Sequence, residues 1–199
     1  VTAATAWLAA NGLSSTSVSD STGMSPQNTS TPTDLVALGE LALANPVVSA
    51  IVSQSSVTVP DVGTISNTNK LLGIDGIDGI KTGTLDEAGA CLLFSADVQV
   101  GGQTVTLVGV LLGGPDHDTI DAGVRSLLSS VVDGFHEVVL ATAGQEFASY
   151  STEWGAQTTL VATEDASAVI YSDTPVTAVV TVEPLSGENV RLDALVERG

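Results

Sequence analysis

Positive charge is scarce in this sequence. Five Lys and Arg stand against 23 Asp and Glu, a formal net charge of −18 over 199 residues. Nucleic-acid binding needs a basic footprint, and an anionic membrane surface attracts the same cations, so the composition speaks against both partners. Cysteine is nearly absent: Cys91 stands alone, which rules out an internal disulfide framework and any multi-cysteine metal site. Two histidines, His117 and His136, leave too few ligands for a zinc centre. No apolar run reaches the roughly 20 residues that a membrane-crossing helix needs. The opening residues Val1 to Leu8 carry no basic stretch and no initiator Met, and the chain is expected to be a piece of a longer protein.

What is present is apolar enough to fold. Hydrophobic residues make up 43% of the chain and charged residues only 14%, so a packed core is expected rather than disorder. Residues 11–31 are dense in Ser, Thr, Asn and Gly and read as loops. Thr31-Pro32-Thr33-Asp34 reads as a helix start: a capping hydroxyl, a proline for the first helical position and an acid that closes a capping box. Leu35, Leu38, Leu41 and Ala42 follow at helical spacing, and Pro46 stops the run. A second short helix is expected from Val47 to about Ser53, then a strand at Ser56–Val59. Cys91–Val100 and Thr104–Leu112 are apolar, β-branched runs joined through Gly101-Gly102, a hairpin. The nearly continuous apolar run from Val108 to Leu112 predicts a strand covered on both faces, hence helices above and below the sheet. Ile120, Val124, Leu127, Leu128, Val131 and Val132 share one face of a helix spanning roughly 119 to 135.

After about Ala141 the texture changes. Short strands are expected at Phe147–Tyr150, Thr158–Ala162, Ala168–Tyr171, Val176–Val182 and Val190–Val196, at the spacing of a small all-β domain. The expected division is therefore 1–140 and 141–199.

One cluster has sharp chemical content: Gly79-Ile80-Lys81-Thr82-Gly83-Thr84. A strand with Lys and Thr between glycines lets a ligand backbone approach closely, and a free sheet edge can accept a peptide as an added strand. An ammonium and a hydroxyl facing one cleft suit a carboxylate. The tripeptide alone reads as a solvated turn lysine. Elsewhere, His117 between Asp116 and Asp118 reads as a polar turn residue, with a metal ligand or a pH switch as alternatives. Cys91 reads as a small buried hydrophobe, Trp7 and Trp154 as packing anchors, and most of the carboxylates as solvated surface.

The flanks add to the cluster. Asn67-Thr68-Asn69-Lys70-Leu71-Leu72-Gly73, Asp78 to Thr84 and Glu87-Ala88-Gly89 together resemble the D-alanyl-D-alanine carboxypeptidases, the low-molecular-mass penicillin-binding proteins. Asp20-Ser21-Thr22-Gly23-Met24-Ser25, Asn28, Ser30-Thr31, Asp34-Leu35 and Val108 to Gly114 resemble them too, so the likeness covers roughly residues 5 to 140. Gly144-Gln145 and Trp154-Gly155 resemble the β-rich domain that follows in that family. The resemblance implies a β-lactamase- or transpeptidase-like α/β domain lacking its N-terminal part, an antiparallel sheet flanked by helices, then a small all-β domain.

It also implies acyl transfer by a serine peptidase that trims peptidoglycan stem peptides, acts outside the cytoplasm, binds β-lactams and uses no metal or cofactor. A membrane anchor would lie in parts outside this chain. Residue by residue, Lys81 would hold positive potential in the cleft, Thr82 would bind the substrate's terminal carboxylate, Gly83 would admit the substrate, and the backbone N–H of Thr84 would be an oxyanion donor. One feature departs from the family. No Ser-x-x-Lys occurs, since Asn67 and Asp78 stand three residues before Lys70 and Lys81, and no Ser-x-Asn occurs either. Alone, the chain is expected not to catalyse. Two other readings stay open: a non-catalytic module that binds wall peptides, and a relative in the β-lactamase group.

Overall fold

A computed structural model describes residues 1–151, 154–172, 174–179 and 193–195. The chain divides into two compact units, one formed by Val1–Gln99 with Thr104–Val132, the other by Val100–Gln103 with the chain from Asp133 onward. The sequence suggested a change near Ala141. The units change over at Asp133, because Phe135–Ala141 pairs with a later strand of the second unit.

The first unit opens with α1 (Thr2–Ala10), which buries Leu8, and a loop in which Ser17 and Thr29 form an antiparallel bridge. Helix α2 (Pro32–Leu43) starts where the capping pattern put it: the Thr31 hydroxyl accepts from the Asp34 N–H at 3.3 Å. The box is only half made. The Asp34 carboxylate turns away and accepts from the Ser15 N–H at 2.9 Å and the Thr16 hydroxyl at 2.7 Å, fastening the preceding loop to the helix. Helix α3 (Pro46–Val52) follows, capped by Asn45. Strands β1 (Ser56–Val59) and β2 (Gly63–Ser66) form a small hairpin; β2 had no clear sequence signal.

The central sheet has the order β3-β4-β5, with β3 at Ile77–Leu85, β4 at Gly89–Val100 and β5 at Gln103–Gly114. Helix α4 (His117–Val132) comes next. The sheet lies between helices, as expected. Gly39 of α2 is packed so closely on one face that an added Cβ would sit 2.9 Å from Val108 and 3.3 Å from Leu93. On the other face, Gly123 of α4 meets Leu111 and Gly114 meets Ile120. The two faces are not equally covered. In β4, Ala90, Leu92, Phe94, Ala96, Val98 and Val100 are buried. On the alternate face Cys91 and Leu93 are only half-buried, and Leu112 of β5 is 43% exposed. The face toward α2 is therefore incompletely filled, whereas the apolar run of β5 predicted cover on both sides.

In the second unit, β6 (Phe135–Ala141) pairs antiparallel with β9 (Ala166–Tyr171), and Phe135 meets Tyr171 edge to face. Strands β7 (Glu146–Ser151) and β8 (Gln157–Val161) form a hairpin, and β10 (Thr177–Val179) pairs with β11 (Asp193–Leu195). The expected strands Val176–Val182 and Val190–Val196 lie partly outside the described residues. Neither tryptophan is a packing anchor: Trp7 is 46% exposed and Trp154 is 82% exposed.

Candidate functional site

The Lys-Thr-Gly cluster occupies the edge strand of the central sheet. Among the described residues β3 pairs with β4 on one side and with no strand on the other. Its first half is anchored: Ile77 and Ile80 are buried, and the Ser95 hydroxyl donates to Asp78 at 2.5 Å. Its second half is open, with Lys81, Gly83 and Thr84 exposed and Thr82 half-buried. No heavy atom lies within 4 Å of where a Cβ on Gly83 would stand. The strand thus presents a glycine-flattened, accessible edge, the arrangement that lets a peptide backbone lie alongside.

The segment before β3 positions it. Asn69 is buried; its Nδ2 donates to the Gly79 carbonyl at 3.0 Å and its Oδ1 accepts from the Leu71 N–H at 3.0 Å. Asn67 accepts from the Asn69 N–H at 2.9 Å and donates to the Val52 and Gln54 carbonyls. Between them, the Thr68 hydroxyl meets that of Thr82 at 2.5 Å. The roles of Asn67, Thr68 and Asn69 were not legible in the sequence. Polar side chains two apart, able to bond the backbone locally, were the available signal.

Charge is arranged unevenly. The described Lys and Arg residues are Lys70, Lys81 and Arg125. Lys70 pairs with Asp118 at 3.0 Å and Arg125 with Asp75 at 2.6 Å, both in the open. The hydrogen bond and charge of Asp118 raise the pKa of Lys70. Lys81 has no carboxylate partner among the described residues; its Nζ donates to the Thr82 carbonyl. In a chain this acidic, an ammonium left unpaired at a sheet edge is a standing site for an anion.

Lys81 faces a hollow. With Thr82, Gly83, Leu93, Val110 and Leu112 of the sheet and Leu35 and Leu38 of α2, it lines a cavity of about 320 Å³. Lys81 is itself exposed at the border of this hollow. Cys91 is half-buried on this same face, not a fully buried hydrophobe. His117 is the first residue of α4, and its Nε2 lies 2.7 Å from the Thr84 hydroxyl. His136 sits within β6.

The family described as D-alanyl-D-alanine carboxypeptidase matches residues 1–115. No curated protein matches. Among solved structures, penicillin binding protein 5 from Haemophilus influenzae is similar over 97% of this chain and 63% of its own, with a TM-score of 0.62 at 19% identity. The Streptomyces K15 DD-transpeptidase is similar over 63% of this chain and 50% of its own, with a TM-score of 0.56 at 28% identity. Penicillin-binding protein D2 from Listeria monocytogenes, in its cefotaxime-bound form, is similar over 65% of this chain and 54% of its own, with a TM-score of 0.51 at 29% identity. The chain thus spans roughly half to two thirds of these structures.

Proposed function

Because this chain belongs to the D-alanyl-D-alanine carboxypeptidase family, we propose that its β3 edge is the substrate-gripping half of a serine D-alanyl-D-alanine carboxypeptidase. The observation that carries the reading is Lys81: an unpaired ammonium on an open edge strand, lining a cleft beside an ungated glycine. A peptide ending in D-Ala-D-Ala lies along this edge. Its terminal carboxylate is held by Lys81 and the Thr82 hydroxyl, charge-assisted contacts that discriminate a free chain end from an internal bond. Gly83 offers no side chain to block the approach.

The chemistry follows from that placement. A serine hydroxyl attacks the carbonyl carbon of the penultimate residue while a base takes the hydroxyl proton. Negative charge builds on the carbonyl oxygen, and the backbone N–H of Thr84 stabilises it; one such donor is worth roughly 3–4 kcal/mol in other enzymes. The C–N bond breaks, the departing D-alanine takes a proton, and water later hydrolyses the acyl-enzyme. The serine, absent here in its Ser-x-x-Lys setting, comes from the parent polypeptide outside these 199 residues. The first unit forms part of that catalytic domain, the unit from Asp133 onward belongs to its β-rich companion, and the whole works on peptidoglycan outside the cytoplasm. A β-lactam, carrying a carboxylate beside a strained amide, enters the same site.

A full-length parent should take up a fluorescent penicillin and release D-alanine from a stem peptide. An intact Ser-x-x-Lys parent that never acquires label overturns the enzyme reading.

A further inference from the structure

We propose that Thr68 is a positioning residue: its hydroxyl donates to that of Thr82 and so turns the Thr82 proton toward the substrate's terminal carboxylate. This rests on the reading of β3 as the peptide-gripping edge. The two hydroxyl oxygens belong to residues 14 apart in sequence and lie 2.5 Å from each other. A hydroxyl has one proton to give and can accept two, whereas a carboxylate only accepts. Within the pair, one hydroxyl donates and the other keeps its proton for a third group. Thr82 can therefore serve an anion only while Thr68 is the donor. Thr68, Thr82 and the carboxylate then form one chain, in which each hydrogen bond polarises the next.

The two threonines are not equivalent. Thr82 lines the cleft together with Lys81 and Gly83, and Thr68 is not part of that wall. Thr82 is thus the hydroxyl that the ligand meets, and Thr68 acts through it. Among the described residues, Thr82 is also the one side-chain partner of the Thr68 hydroxyl. Thr68 is fixed from both sides. Buried Asn69 bonds the Gly79 carbonyl and the Leu71 N–H, and Asn67 bonds the Val52 and Gln54 carbonyls and the Asn69 N–H. A residue held at both neighbours loses little further freedom when its hydroxyl orients another, which is what preorganisation requires.

The test titrates the whole chain with N-acetyl-D-alanyl-D-alanine and with its C-terminal carboxamide, following the amide resonances of Lys81 to Thr84. Thr68→Val keeps the side-chain shape and removes the hydroxyl. It should weaken binding of the free acid roughly fivefold, the scale of one hydrogen bond. It should weaken binding of the carboxamide by less than about twofold, because an end that also donates can use Thr82 as an acceptor. Thr68→Ser should restore the affinity for the acid. In a Thr82→Val background, Thr68→Val should have no further effect. An equal loss for acid and carboxamide, or no loss for either, overturns the positioning role and leaves the edge reading standing. So does a loss that persists without the Thr82 hydroxyl, which would make Thr68 a direct ligand. If neither peptide moves Lys81 to Thr84 in the unaltered chain, the edge reading fails and the role of Thr68 with it.

Discussion

The Thr84 hydroxyl and the His117 Nε2 meet at 2.7 Å, tying the open end of β3 to the first residue of α4. The contact occupies the Thr84 side chain and leaves its backbone N–H to be the proposed donor. His117→Ala should therefore lower stability by less than about 1 kcal/mol, the net worth of one hydrogen bond. It should change the affinity for a D-Ala-D-Ala peptide by less than about fivefold. Denaturant unfolding and peptide titration measure the two; a hundredfold loss of affinity would make the imidazole a direct ligand.

Lys81→Ala in the parent protein should slow acylation by a fluorescent penicillin about a hundredfold, since a cation aimed at substrate charge is removed. Stability should move by no more than about 0.5 kcal/mol, because the side chain is exposed and bonds only the neighbouring Thr82 carbonyl. A large fall in melting temperature would make Lys81 structural.

Asp34→Ala should be among the most damaging changes in the first unit. Asp34 is 9% exposed, and its carboxylate serves two donors, the Ser15 N–H and the Thr16 hydroxyl. Removing it takes the acceptor from the Ser15 N–H and one of the two partners from the Thr16 hydroxyl, a loss of about 1–2 kcal/mol in urea unfolding.

Gly109→Ala tests the packing behind the site. The new Cβ would lie 2.5 Å from Cζ and 2.7 Å from Cε1 of Phe94, a ring only 3% exposed. Overpacking there should cost about 1–3 kcal/mol. Unchanged stability would mean the ring moves freely.

Asp20 links the loop to pH. Hydrogen bonds from Thr22, then Asn28, hold its carboxyl well below the ordinary carboxylate range. A lowered native pKa means stabilisation that is fully present above the unfolded value of about 3.9 and is lost as pH falls through the native value. Asp20→Asn should therefore melt below the unaltered chain at neutral pH, and the gap should narrow under strong acid. A gap that stays constant with pH would show that the carboxylate charge is not what the loop uses.

Local elements were legible because their signals are local. The Thr31 cap, Pro32 and the apolar spacing of α2 needed only neighbouring residues, and so did the Gly101-Gly102 hairpin. The roles of Thr68, Asn69 and His117 were not legible. Each depends on a partner 10 to 33 residues away, at Thr82, Gly79 and Thr84. The half-made capping box is of the same kind: Asp34 sits where the pattern wants it, yet its carboxylate is claimed by Ser15 and Thr16, which spacing within a helix cannot reveal.

The amino-acid order by itself determined the acidity, the amphipathic helices, the apolar hairpin and the glycine-flanked Lys-Thr-Gly strand. Tertiary structure decided that this strand is an edge, that Lys81 alone among the described cations lacks a carboxylate, and that one sheet face is filled while the other keeps a cleft. The physical reason is range. Propensity and periodicity act over a few residues, whereas edges, ion pairs and cavities exist only once distant segments have packed.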